Sequence, residues 1–262
     1  MSAAIIIPAR YASQRYPGKP LVELRDGSGV SKTLIERSWD AAVAVLDAAD
    51  VYVATDDDRI ADCVRGFGGQ VIMTDPACRN GTERCAQAVE VAGIDADIIV
   101  NLQGDAPLTP AWFVADLIAA MEANPVDMVA TPVLRCDAET LQNFRDDRAA
   151  GKVGGTTAVF GADMNGLYFS KEVIPYLPPE GPDPNQPIPV YHHVGVYAYR
   201  RAALADYAAA TPMPLETLEG LEQLRFLELG LPVRCVEVDG KGRVFWELNN
   251  PVDVARIEKV LA

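Results

Sequence analysis

"DIIVNLQGDAPLTPAWFVADLIAAMEANPVDMVATPV", Asp97–Val133, holds a strand, a loop, a helix and a second strand in one run. The apolar stretch Asp97–Leu102 is short and barely interrupted, the pattern of a strand covered on both faces. Thr109 is expected to cap a helix that opens at Pro110 and turns Trp112, Phe113 and Leu117 inward, before the strand Asp127–Val133. The same beat recurs upstream. Ala3–Pro8 reads as a buried strand, Ser31–Ala48 as an amphipathic helix, Val51–Ala54 and Gln70–Met73 as strands, and Asp57–Gly66 and Thr82–Ala92 as helices. Strands separated by helices of this length imply right-handed crossovers, so the expected fold is α/β, a doubly wound, mostly parallel sheet.

After about Cys136 the rhythm changes to a smaller mixed α+β part. It contains a polar helix (Asp137–Ala149), the glycine-rich "GKVGGTTAVFGADMNG", a proline-heavy segment from Tyr176 to Pro189 expected to be mobile, a strand Val190–Tyr199, a helix Glu216–Leu229, a strand Val233–Val238 and a closing helix Pro251–Leu261. No internal repeat is visible. One domain over 1–262 is expected, with halves 1–135 and 136–262.

The 262 residues carry 37 Asp plus Glu against 23 Lys plus Arg, a net charge of −14, which opposes binding to nucleic acid or an anionic membrane. It does not oppose one anion in a locally basic pocket. The apolar run Ala3–Ile7 is too short for a secretory h-region and no later segment approaches a transmembrane span, so a cytoplasmic protein is expected. Five cysteines without CxxC spacing indicate neither a disulfide framework nor a zinc site.

Ligands of open parallel sheets bind beyond the carboxyl ends of the strands, so the loops there should hold the chemistry. The first, "IIIPARYASQRYPGKPL" (Ile5–Leu21), places Arg10, Arg15 and Lys19 around Gly18, where cations and backbone N–H groups can surround a polyphosphate; the other reading is three solvated charges. Neither a Walker loop nor G-x-G-x-x-G is present. The second, "NLQGDAPL", offers Asp105 as a ligand for a hard cation, or simply as a turn former. The third, "RNGTERC" (Arg79–Cys85), leads into a helix whose free N–H groups favour an anion or a base edge, or are capped by Asn80 or Thr82.

"IPARYASQRYPGKPL", "VATDDDRIADCVRGFGGQVIMT", "NGTERCAQAV" and "IVNLQGDAPL", in this order and spacing, resemble the CMP-Kdo synthetases, the cytidylyltransferases of 3-deoxy-manno-octulosonate (Kdo). "LYFSKEVIP", "HHVGVYAYR" and "PLETLEGLEQLRFLELG" look like that family's sugar-binding and dimer-forming half. The resemblance implies a nucleotide-diphospho-sugar transferase-like sheet, a homodimer, and transfer of CMP from CTP to a 2-keto-3-deoxy sugar acid with release of pyrophosphate. Positioning and charge neutralisation suffice for such a step, and no Ser-His-Asp or Cys-His set appears in the sequence. By similarity Pro8, Ala9, Arg10, Arg15 and Lys19 hold nucleotide, with Arg10, Lys19 and Asp105 as the catalytic set. Asn80, Gly81, Thr82, Arg84 and Gln103 touch the nucleoside. Gln103, His193, Tyr197, Glu222 and Gln223 hydrogen-bond the acidic acceptor. Asp105 binds Mg2+, which bridges phosphate and acceptor oxygens. Read from the pattern alone, Tyr197 is equally a core tyrosine, and Glu222 and Gln223 equally a solvated helix face.

The chain departs from the family in three places. "QGDAP" has Ala106 for a carboxylate, "GGTTAVF" lacks a lysine near Thr156–Val159, and "FWELNNPVDV" puts Asn249 where a second metal-binding Asp is expected, with Glu247 able to compensate. The departures keep two further readings open: a cytidylyltransferase for a different acid, another 2-keto sugar acid or a phosphonate, and a non-catalytic nucleotide-binding protein.

Overall fold

Strand β1 (Ala3–Ala9) is buried at every residue because it lies in the middle of a sheet covered on both faces. The computed structural model describes residues 1–12, 16–45, 50–153, 155–178, 181–183, 185–243, 248 and 250–262. In chain order β1 is followed by β2 (Glu23–Arg25), β3 (Ser31–Thr33), α1 (Leu34–Val43), β4 (Asp50–Thr55), α2 (Asp58–Gly66), β5 (Gln70–Met73), α3 (Gly81–Ala92), β6 (Ile98–Leu102), α4 (Ala111–Ala123) and β7 (Val129–Arg135). Then come α5 (Ala138–Ala149), β8 (Thr156–Phe160), β9 (Gly166–Ser170), β10 (Tyr191–His193), β11 (Val196–Tyr199), α6 (Arg201–Ala209), α7 (Pro214–Glu219), α8 (Leu224–Glu228), β12 (Val233–Glu237) and α9 (Asp253–Leu261).

Parallel pairing joins β1 to β4 (Ile6 opposite Tyr52), β1 to β6 (Ile5 opposite Val100) and β4 to β5. Beyond β6 the sheet departs from a simple winding. β11 runs antiparallel between β6 and β7, with Ala198 opposite both Val100 and Ala130, so a strand of the second half separates two strands of the first. β12 lies parallel along the other edge of β7. The expected strand Val190–Tyr199 is two strands, because the register against β7 shifts by two residues at Val194–Gly195 between β10 and β11.

Alternation along β1 sorts its side chains. Ile5 and Ile7 pack with Ile35, Ile60 and Phe113 under α1, α2 and α4, while Ile6 packs with Cys85, Ala88, Leu204 and Phe226 under α3, α6 and α8. Cys136 and Cys235 are also buried in packing, and none of the five cysteines is in a disulfide. Side-chain caps fix the helix starts: Asp57 Oδ1 accepts from Arg59 N–H, Asn80 Oδ1 from Glu83 N–H and Asp137 Oδ1 from Thr140 N–H. Thr109 does not cap α4. Pro110 occupies the cap position, and the Thr109 hydroxyl is buried without a partner among the described residues. The start of the expected helix Ser31–Ala48 is strand β3, drawn into a hairpin with β2.

A third cluster, Leu24, Leu34, Leu248 and Ile257, lies apart from the main cores and seats α9 against the β2–β3 hairpin. Leu248 N–H donates to the Asp105 carbonyl at 2.8 Å, and Arg25 N–H donates to Glu258 Oε1 at 2.9 Å. Among the described residues no helix is long and apolar enough to cross a membrane.

Leu248 is fully buried in this small cluster, which has few neighbours able to collapse into a void. Leu248→Ala is therefore expected to lower stability by about 2–5 kcal/mol in urea unfolding, with Leu248→Ile recovering most of the loss. An unchanged midpoint for Leu248→Ala contradicts the packing described.

Candidate active site

The carboxyl ends of β1, β4, β6 and β7 share one rim, and a cleft of about 1820 Å³ opens there. Arg10 leaves β1 at this rim, exposed and with no ion pair among the described residues. The following loop returns through Gly18, whose φ of +72° suits glycine and whose N–H donates to Tyr11 O at 2.9 Å. That return delivers Lys19 to Asp105, with Nζ to Oδ2 at 2.6 Å. Gly104 makes the approach possible: a Cβ there would lie 2.9 Å from the Pro8 carbonyl, so the β6 loop lies directly on the end of β1.

At the other side of the rim, Gln103 meets α3 and the α7–α8 turn. Gln103 Nε2 donates to Glu222 Oε1 at 3.0 Å, and Thr82 N–H, in the first turn of α3, donates to Glu222 Oε2 at 3.0 Å. Burial pushes the Glu222 carboxyl up, against the pull of the Thr82 N–H. Gly81 is where α3 touches Gln103; a Cβ at Gly81 would lie 2.8 Å from Nε2. Glu222 and Gln223 do not belong to one long helix. The expected helix Glu216–Leu229 breaks at Gly220, φ +61°, and both residues lie on the turn before α8, so they escape the divergence of neighbours on a helix.

Behind Glu222 is a buried chain of polar groups. Thr131 Oγ1 donates to Val196 O at 2.9 Å and lies 3.0 Å from His193 Nε2. On the other side of the ring, His193 Nδ1 lies 3.1 Å from Thr156 Oγ1 and 3.4 Å from Gln223 Nε2. Gln223 Oε1 in turn accepts from Tyr197 O–H at 3.0 Å. Burial lowers the His193 pKa to about 3. In this arrangement the imidazole orients Gln223 and Tyr197 and has both ring nitrogens engaged by protein.

The cleft thus collects Pro8, Ala9, Arg10 and Lys19 from the first loop. Asn80, Gly81, Arg84, Gln103 and Asp105 join them from the α3 and β6 loops, and His193, Tyr197, Glu222 and Gln223 from the second half. Thr82 does not line it: its hydroxyl is 2.8 Å from Tyr199 OH in the core, and its N–H donates to Glu222. Asn80 is a helix cap whose Nδ2 also donates to Tyr207 OH at 2.8 Å. Arg84 is nearly buried, with Nη1 on Thr74 Oγ1 at 2.5 Å. Arg15, Glu247 and Asn249 lie outside the described residues. Among the described residues no three His, Cys, Asp or Glu are placed to hold a metal. Asp105, partly exposed at the rim, fits a magnesium ion that takes its remaining ligands from water and phosphate, as this ion commonly does.

Sequence reasoning overlooked Arg225. It is completely buried, with Nε and Nη2 on Glu216 at 2.6 Å each, Nη1 on Glu83 Oε1 at 3.1 Å, and its guanidinium 3.8 Å from the Tyr207 ring centroid. The only signal was an arginine three residues after Glu222 in an otherwise apolar turn.

A cation and a carboxylate at one end of the sheet's rim, with a polar wall at the other, suit a nucleotidyltransferase. The cytidylyltransferase family profile matches residues 4–234. The chain is 45% identical over 262 residues to the 3-deoxy-manno-octulosonate cytidylyltransferase of Maricaulis maris, spanning 100% of this chain and 98% of the relative. It is 38% identical to the enzyme of the same name from Myxococcus xanthus, covering 98% and 95%. A solved CMP:2-keto-3-deoxy-manno-octonic acid synthetase complexed with CTP superposes with a TM-score of 0.83 at 33% identity, covering 100% and 98%. The chain belongs to the 3-deoxy-manno-octulosonate cytidylyltransferase family.

Two outcomes follow from the geometry. Gly81→Ala pushes Gln103 off Glu222, and because the displaced atoms end a flexible side chain, turnover is expected to fall more than tenfold while the thermal midpoint moves by only a few degrees; unchanged turnover contradicts the Gln103 assignment. His193, depressed from 6.5 to about 3, binds its proton more readily unfolded, so stability present above pH 6.5 is lost as pH falls toward 3. Thermal melts of His193→Gln between pH 7 and pH 5 should fall less than those of the native chain; equal losses contradict a buried neutral imidazole.

Proposed function

We propose that the protein transfers CMP from CTP to the anomeric hydroxyl of 3-deoxy-manno-octulosonate and releases pyrophosphate. The observation that carries this reading is the single cleft that holds Lys19 and Asp105 at one end and the Gln103–Glu222–Gln223–Tyr197 wall at the other. Arg10 and Lys19, with Arg15, take the triphosphate; Gln103 and the Gly81 turn take the nucleoside. Glu222, Gln223 and Tyr197 hydrogen-bond the hydroxyl groups of the acid, with His193 holding Gln223 in place.

Asp105 is the ligand for Mg2+, which when bound supplies neutralisation of phosphate charge. Lys19, already on Asp105, presents the second positive charge to the same oxygens. In-line transfer then depends on these groups fixing the two substrates rather than on a protein nucleophile. The working unit is a single domain in a cytoplasmic homodimer. The dimer surface is the second half, supported by exposed Leu167 on β9 and Leu218 on α7, 68% and 82% accessible. The net charge of −14 opposes binding to nucleic acid.

The test is pyrophosphate release with CTP, Mg2+ and a panel of Kdo, sialic acid and simple phosphonates. Release with Kdo is expected; release with another acid alone, or with none, contradicts the reading. In the same assay Asp105→Asn is expected to lose at least about a hundredfold in turnover, with the thermal midpoint nearly unchanged because the Lys19 pair is partly exposed. Retained activity contradicts the metal assignment.

A further inference from the structure

The segment "DGKGR", Asp239–Arg243, lines the rim with two basic residues to which the proposed reaction gives no role. It is held firmly for a loop. Trp112 Nε1–H donates to the Asp239 carbonyl at 2.9 Å, Lys241 N–H donates to Asp239 Oδ1 at 2.8 Å, and Arg243 N–H donates to Gly240 O at 2.8 Å. Lys241 takes a left-handed backbone, φ +48°, rare for a residue with a side chain and concentrated at functional sites. Both side chains are gathered on one indole: Lys241 Nζ lies 4.6 Å and Arg243 Cζ 5.0 Å from the Trp112 ring centroid.

Two features separate this pair from ordinary surface charge. First, the acids of this chain have claimed most of the other cleft cations: Lys19 is on Asp105, Arg79 and Arg225 on Glu83, and Arg135 on Glu237. Among the described residues, neither Lys241 nor Arg243 has a carboxylate within ion-pair distance, and the acid in their own loop, Asp239, turns its oxygen to the backbone. Second, the surrounding chain is tied to the Asp105 segment at two points. Trp112, in the first turn of the helix that follows the Asp105 loop, binds Asp239, and Leu248 N–H binds the Asp105 carbonyl. Two cations held near one ring repel each other, and an anion between them removes the repulsion.

We propose that Lys241 and Arg243 form a cationic clamp for anionic oxygens at the Asp105 side of the cleft, on the platform of Trp112. The proposal rests on the functional reading above for its ligands, which share one chemistry: phosphate oxygens of CTP or pyrophosphate, or the carboxylate of the acceptor. The clamp stands apart from the cations of the first loop.

Lys241→Gln, Arg243→Gln and the double variant test it, with calorimetric titration of CTP and of pyrophosphate at low ionic strength and with the KM for acceptor. The double variant is expected to weaken at least one of these by about tenfold, since charge-assisted contacts to an anion are lost while the unfolding midpoint of an exposed loop stays put. Weaker CTP and pyrophosphate binding with an unchanged acceptor KM assigns the clamp to phosphate; a raised acceptor KM alone assigns it to the carboxylate. All three constants within twofold of the native chain overturn the proposal. If no acid accepts CMP, the two titrations still decide a phosphate clamp independently of the acceptor.

Discussion

A guanidinium removed from water must be matched by carboxylates, and the protein is organised around one such group. Arg225 is bound by Glu216 of α7 on two nitrogens and by Glu83 of α3 on a third, and that third nitrogen also meets the Tyr207 and Ala210 carbonyls. Removing one partner of a buried pair of this kind typically costs about 3–5 kcal/mol, so the elements that supply the partners cannot drift independently. Glu83 belongs to the first half of the chain and Glu216 to the second. The ion triad therefore sets the distance between the halves, and Glu222, three residues before Arg225, is carried to the N-terminus of α3 as a consequence.

The same constraint explains the charge distribution. A chain of net charge −14 receives a polyanionic substrate only if local cations outweigh the general repulsion. Buried acids are consumed by buried bases, as with Arg225, while among the described residues Arg10, Lys241 and Arg243 form no ion pair at the rim. Lys19 is intermediate: it stands at the rim paired with Asp105.

The β–α units of the first half were legible because their information is local. A triple isoleucine run marked β1, and Asp57, Asn80 and Asp137 stood where caps stand. What escaped depends on distant partners. β3 is a strand only because β2 pairs with it, and nothing in Val196–Tyr199 announces that it runs antiparallel between β6 and β7. Site residues followed the same division. Lys19, Gln103 and Asp105 stand on the loops where the sequence places ligand-binding groups, and they line one cleft. Asn80 carried two readings, and its amide serves the cap and Tyr207. Arg225 stood unremarked in its motif because its carboxylates come from 9 and 142 residues away.

The central claim is that the Arg225 triad holds Glu222 against α3. The most direct measurement is amide hydrogen exchange at Thr82 in the native chain and in Arg225→Met, which keeps apolar bulk and removes the charge. The Thr82 N–H, bonded to Glu222 across the two halves, should exchange much faster in the variant, while Ala88 in the interior of α3 keeps its protection. Equal Thr82 exchange in both proteins would contradict the account.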